Sequence, residues 1–137
     1  MDNLPIEVQA ATAGLSFVMT GASVFQFFVS YLPRRAFRED FRSSTSRARV
    51  AVMRLRQNAS PQTAVDVATS ALTKATVTSE RLRGAYRFAA THACWLISRE
   101  LGAILTFDRT SRPEVLHAFC ELREKQIAHA CAIVESI

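Results

Sequence analysis

The sequence has 137 residues and a net charge of +5, with only four glycines and four prolines. This length allows one domain of about 100 residues beside a membrane segment and excludes two separate cores. Few glycines and prolines, with abundant alanine, favour helices over strands. No Gly-rich phosphate loop or nucleophile elbow is present. We therefore expect an all-α protein that is not an enzyme, with no catalytic residue, no cofactor and no small-molecule substrate.

The first predicted element is a transmembrane helix from Val8 to Pro33, a stretch without a charged residue. At about 1.5 Å per residue it is longer than the roughly 30 Å hydrocarbon layer of a bilayer. Gly14 and Gly21 lie on one face and Ser16 and Ser23 on the other, and these four are the predicted helix–helix packing residues. The alternative is an amphipathic helix whose phenylalanines and valines pack in a soluble core.

The charges on either side of this helix predict its orientation. Asp2 and Glu7 precede it, whereas Arg34 and Arg35 follow it. Basic flanks stay inside, so the N-terminus is expected outside and the C-terminal domain inside. No basic signal-peptide region or Arg-rich transit peptide precedes the helix. By analogy with small basic accessory subunits, the mitochondrial inner membrane is the expected location.

Residues 34–57 form a predicted basic juxtamembrane segment. Between positions 34 and 56 there are eight arginines and two acidic residues, a local charge of +6. Such a segment is typical of contact with anionic lipids or partner subunits, and nucleic acid is the less favoured ligand. The predicted lipid- or partner-binding residues are Arg34, Arg35, Arg38, Arg42, Arg47, Arg49, Arg54 and Arg56.

Part of this basic segment, Ser46 to Gln57, has the apolar periodicity of an amphipathic helix. Ala48, Ala51, Val52 and Leu55 recur at i, i+3, i+4 and i+7. Two interpretations fit this pattern equally well. The helix lies on a membrane surface or an acidic partner with its arginines extended, or it is the first helix of a bundle.

Residues 58–137 are predicted to form the helical domain. One helix starts at Ser60 and Pro61 and ends near Ala75, and a turn follows at Val77–Glu80. A long helix from Glu80 to about Phe107 comes next, and a capping box at Ser111–Glu114 starts the last helix. The fold class is therefore one N-terminal transmembrane helix followed by a small bundle of about four helices.

Three features inside this domain bear on chemistry. Phe88 and Trp95 broaden the apolar surface of the long helix, so we expect it to contact more than one neighbour. Glu100 is a carboxylate in an apolar run and is expected to pair with another helix. His117 and Cys120 share a helix face, but the further ligands of a structural zinc site are missing, so no metal is predicted.

Residues 79–92, SERLRGAYRFAATH, resemble the second helix of J-domain co-chaperones. Some members of that family have an N-terminal span followed by an inner J-domain. The sequence departs from the family at Ala93 and Cys94, where the family has the Pro and Asp of its functional tripeptide. The resemblance implies, as the most distant alternative, a J-like membrane adaptor that does not stimulate a chaperone.

These features together predict a non-catalytic single-pass accessory subunit of a larger membrane protein complex. It has three regions: 1–33 for the outer tail and span, 34–57 for the basic segment, and 58–137 for the helical domain. Its expected partners are other subunits of that complex and anionic lipids. The competing hypothesis is a soluble basic helical protein that binds RNA through Arg34 to Arg56.

Overall fold

A computed structural model describes the backbone of residues 6–137 and the side chains of residues 31–137. Within these residues there are four α-helices and no strand: α1 (Ile6–Arg56), α2 (Gln62–Ser79), α3 (Gly84–Thr106) and α4 (Pro113–Glu135). The all-α prediction is therefore confirmed. The chain divides into two compact units, Met1–Leu32 and Pro33–Ile137. The division falls inside α1 at Pro33, which has no N–H to donate to the helix.

The second unit is an antiparallel bundle of α2, α3, α4 and the part of α1 after Leu32. The Thr78 hydroxyl lies 3.3 Å from the Asp40 carboxylate and joins α2 to α1. Arg56 and Glu124 form an ion pair of 3.1 Å between α1 and α4. Since α3 packs against both α2 and α4, each helix has two neighbours.

The predicted membrane span falls largely outside the described side chains. Only the last three residues of Val8–Pro33 are among them, and the packing residues Gly14, Ser16, Gly21 and Ser23 are not. Among the residues that are described, no helix is long and apolar enough to cross a bilayer.

Burial of the inner face of α1 decides between the two interpretations of its amphipathic segment. Ala48, Ala51, Val52 and Leu55 are all fully buried in the bundle core. The same stripe continues towards Pro33 through two buried phenylalanines, whose ring centroids lie 5.7 Å apart. This segment is therefore the first helix of the bundle, and its apolar face is not available to a membrane.

Two predicted boundaries between helices are wrong. The turn expected at Val77–Glu80 is mostly helix, because α2 continues to Ser79. The Thr78 hydroxyl donates to the Lys74 carbonyl at 3.1 Å, so this Thr-rich segment satisfies its hydroxyls within the helix. The next helix begins at Gly84, four residues later than predicted, where a φ of +59° favours glycine.

The predicted capping box of α4 is also absent. Arg112 occupies the position before the helix and makes no side-chain cap hydrogen bond, and Pro113 is the first helical residue. The preceding turn is instead organised by Asp108, whose carboxylate accepts from the Thr110 amide at 2.9 Å and from its hydroxyl at 2.6 Å. These two hydrogen bonds lower the pKa of Asp108.

A buried ion pair between α3 and α4 matches the role expected for Glu100. Its side chain is fully buried, and Oε2 lies 2.7 Å from Nη1 of Arg123. Arg123 Nε has no hydrogen-bond acceptor within residues 31–137. Arg99, which is half exposed, lies 3.5 Å from the other carboxylate oxygen. Glu100 therefore joins α3 to α4 through its pairing with Arg123.

Replacing Arg123 by Leu should destabilise the bundle strongly. The change leaves the Glu100 carboxylate buried without its cation, which typically costs about 3–5 kcal/mol. The matched control, Arg99→Leu, removes a half-exposed partner and should cost less than about 1 kcal/mol. Urea unfolding followed by circular dichroism measures both. Equal losses of stability for the two variants would contradict the role assigned to Arg123.

Candidate partner-binding groove

The basic residues of α1 lie on several sides of the bundle, and one group of them lines a groove. This α1/α4 groove has a volume of about 500 Å³. Its walls are the outer faces of α1 and α4, on the side of α1 that does not face α2. It is lined by Arg38, Phe41, Arg42, Thr45, Ser46, Arg49, Val50, Met53, Cys131, Val134 and Glu135.

The groove is basic along the α1 wall. Arg38, Arg42 and Arg49 follow one another at spacings of four and seven residues, which places them on one face of a helix. They extend over about 16 Å at 1.5 Å per residue. The α4 wall contributes one carboxylate, Glu135. Three guanidinium groups against one carboxylate give the groove an excess of positive charge.

Beyond Arg49 and along its floor the groove is apolar. The Met53 side chain is 54% exposed and Val50 is 36% exposed, although both lie beside the core. Buried Phe41 and Val134 form part of the floor. Methionine adapts its shape to different apolar surfaces, so this strip suits a partner that offers apolar side chains as well as negative charge.

Other predicted binding arginines have contacts within the bundle. Arg34 donates to the Ile137 carbonyl at 3.3 Å and lies over the Tyr86 ring. Arg35 pairs with Glu39 at 3.3 Å, one turn along α1. Arg56 is the α1 partner of the ion pair to α4 described above. Arg34 and Arg56 therefore join α1 to other parts of the bundle, whereas the Arg35–Glu39 pair lies within α1.

The last two predicted arginines lie away from the groove. Arg47 lines a smaller depression between α1 and α2, together with Asp40 and Lys74. Arg54 is exposed near the end of α1. The eight arginines expected to act as one surface are thus divided, and only Arg38, Arg42 and Arg49 share the α1/α4 groove.

The cysteines and histidines do not assemble into a site for metal or for nucleophilic chemistry. Among residues 31–137, no three potential metal ligands lie together. His117 lies 3.1 Å from Glu121, whereas Cys120 points into the core with Sγ 4.0 Å from the Val52 carbonyl.

The two buried thiols are not reactive at neutral pH. Burial raises the pKa of Cys120. Burial also raises the pKa of Cys94, to about 11, although a hydrogen bond to Thr76 opposes this shift. Both thiols are therefore protonated at neutral pH.

The exposed aromatic residues of α3 are the surface feature that sequence reasoning missed. As expected, α3 contacts two neighbours, but it does so through its small and aliphatic residues. Phe88 is 79% exposed and Trp95 is 56% exposed. The Trp95 ring stacks on His92, and the Arg99 guanidinium lies 5.1 Å from its centroid. The spacing of Phe88 and Trp95 in the sequence indicates this exposure, because both residues fall beside the Ala90–Ala93–Ile97 stripe of α3 and not on it.

Cys131 provides a reporter inside the groove. Its thiol is partly exposed and lies 3.7 Å from Arg49 Nη2. At pH 8, iodoacetamide should modify Cys131 well before Cys94 and Cys120, because those two thiols are buried and their pKa values are raised. Mass spectrometry of the native protein after short exposure measures the order. Modification of Cys94 at the same rate as Cys131 would show that the core opens more readily than the structure implies.

The chain was compared with protein families, with curated proteins and with solved structures. No family model matches it, and neither does a curated protein or a solved structure. A function for this chain is therefore inferred from the residues that line the α1/α4 groove.

Proposed function

We propose that this chain is a non-catalytic single-pass accessory subunit of a membrane protein complex, and that it holds an acidic amphipathic helix of a partner subunit in the α1/α4 groove. The observation that carries the proposal is the groove itself. It combines three arginines on one face of α1 with the exposed apolar side chains of Val50 and Met53. The uncharged stretch Val8–Pro33 supports the membrane part of the proposal.

The shape of the groove favours a helix as the bound segment. From Arg38 to Met53 the α1 wall spans about 22 Å, or roughly four helical turns. Arg42 and Arg49 are seven residues, or about two helical turns, apart. A partner helix that lies alongside α1 therefore pairs with both arginines through carboxylates that are also about two turns apart. Val50 and Met53 then receive apolar side chains at i, i+3 or i+4 of the same partner helix.

Charge reversal in the groove tests this function. Arg42→Glu combined with Arg49→Glu should release the chain from its complex, because the partner carboxylates then face like charges. The matched control, Arg54→Glu with Arg109→Glu, changes the net charge equally outside the groove. Native electrophoresis of detergent-solubilised membranes should show the groove variant at its free mass and the control in the complex. A groove variant that still migrates with the complex would contradict the proposal.

The competing function, RNA binding, makes a different prediction for the same basic helix. Exposed Arg47, Arg49 and Arg54 could neutralise phosphates without any groove. Fluorescence anisotropy with a labelled single-stranded RNA measures this directly. Our proposal expects weak binding that disappears by 0.2 M salt. Tight, salt-tolerant binding that is lost when Arg47, Arg49, Arg54 and Arg56 are changed to Gln would favour RNA binding instead.

A further inference from the structure

The end of the bundle at which the chain arrives from Pro33 carries both charge and exposed aromatic rings. We call this the Pro33 end. Arg34 lies over the Tyr86 ring, with its CZ atom 4.7 Å from the centroid, and also donates to the Ile137 carbonyl. These contacts bring together the first bundle turn of α1, the first turn of α3 and the last residue of the chain.

The turn between α2 and α3 adds more basic residues to this end. Arg81 and Arg83 flank the buried Leu82 in that turn, and Arg87 follows in the first turn of α3; all three arginines are exposed. The acidic residues nearby are Glu80 in the same turn, Glu39, which pairs with Arg35, and Glu135 in the last turn of α4. The end therefore has an excess of positive charge, with five arginines at Arg34, Arg35, Arg81, Arg83 and Arg87.

Two exposed aromatic side chains lie in the first turns of α3, on either side of Arg87 in the sequence. Phe88 is 79% exposed, more than any other large apolar side chain in residues 31–137, and Tyr86 is 41% exposed. Exposing a phenylalanine to water is unfavourable, so a side chain this exposed is a candidate for contact with a ligand or a surface. Aromatic rings beside basic residues are the composition that proteins use at the interface between water and lipid.

The opposite end of the bundle is also basic. Arg54 and Arg56 lie in the last turn of α1, and the turn between α3 and α4 adds Asp108, Arg109, Arg112 and, at the start of α4, Glu114. Four basic residues there stand against two acidic ones. The Pro33 end is therefore distinguished by the exposed rings of Phe88 and Tyr86 and not by its charge alone.

We propose that the Pro33 end lies on the surface of an anionic lipid bilayer, with Arg81, Arg83 and Arg87 at the head groups and Phe88 among them. This inference rests on the proposed membrane function. It extends the lipid contact predicted for Arg34 and Arg35 to Arg81 and Arg83 in the α2–α3 turn and to Arg87 in α3, which lie outside residues 34–56. The α1/α4 groove remains free for a protein partner, so the two kinds of contact predicted for one basic segment use separate surfaces.

A single tryptophan placed at position 88 tests the contact. Trp95 is the one tryptophan of the chain, so Phe88→Trp combined with Trp95→Phe gives a protein with one indole. The full chain is reconstituted in phosphatidylcholine vesicles with and without phosphatidylserine, each containing brominated acyl chains that quench indole fluorescence on contact. We expect strong quenching in the anionic vesicles and recovery of fluorescence at high salt.

Charge variants show whether the arginines cause the quenching. Arg81, Arg83 and Arg87 changed together to Gln should lower the affinity of the end for the anionic surface roughly a hundred-fold and abolish most of the quenching. The control variant, Arg109→Gln with Arg112→Gln at the opposite end, should quench like the parent. Circular dichroism melting confirms that the variants fold alike. Quenching that is equal for both variants would overturn the proposal.

Carbonate extraction of the same vesicles separates this inference from the proposed function. A chain that resists extraction while its indole is unquenched overturns the lipid contact and leaves the span in place. A chain that is extracted but was quenched in a salt-dependent way supports the lipid contact and overturns the span. Quenching that is equally strong in uncharged vesicles overturns the assignment to the arginines.

Discussion

The packing of α1 into the bundle core determines which surfaces the molecule can offer. Its apolar stripe, from Phe37 and Phe41 to Leu55, is fully or almost fully buried between α2 and α4. Because that stripe is used in the core, the helix cannot also lie on a membrane with its apolar face down. Its arginines are thereby directed to the two flanks. One flank forms the α1/α4 groove, and the other forms the shallow depression with α2.

Charge plays two different roles in this bundle. The Glu100–Arg123 pair lies inside, where a carboxylate without its cation is strongly unfavourable, so it restricts how α3 and α4 can align. The arginines of the groove and of the Pro33 end lie at the surface, where their charges stay hydrated and are available to the anionic partners that we propose. This separation explains how a small helical domain can be basic overall and still have one alignment of its helices.

Local patterns in the sequence predicted the parts of the fold that depend on neighbours along a helix. The inner face of α1, the helical class and the pairing of Glu100 follow from spacing and from one carboxylate in an apolar run. The late start of α3 could not be predicted, because it depends on Gly84 adopting a left-handed conformation. The groove could not be predicted either, since it requires knowing that Cys131 and Val134 lie opposite Arg49. Nor does a proline at position 33 normally suggest a helix that extends on both sides of it.

Crosslinking in native membranes shows whether the α1/α4 groove holds an acidic helix, as we propose. A photo-reactive amino acid is introduced in place of Met53, which is in the groove and 54% exposed, and separately in place of Leu105, which is 43% exposed on α3 outside it. After irradiation, mass spectrometry identifies the attached peptides. We expect position 53 to react with one acidic amphipathic segment of another protein and position 105 not to react with it. Crosslinks from position 53 only to lipid, or the same products from both positions, would contradict it.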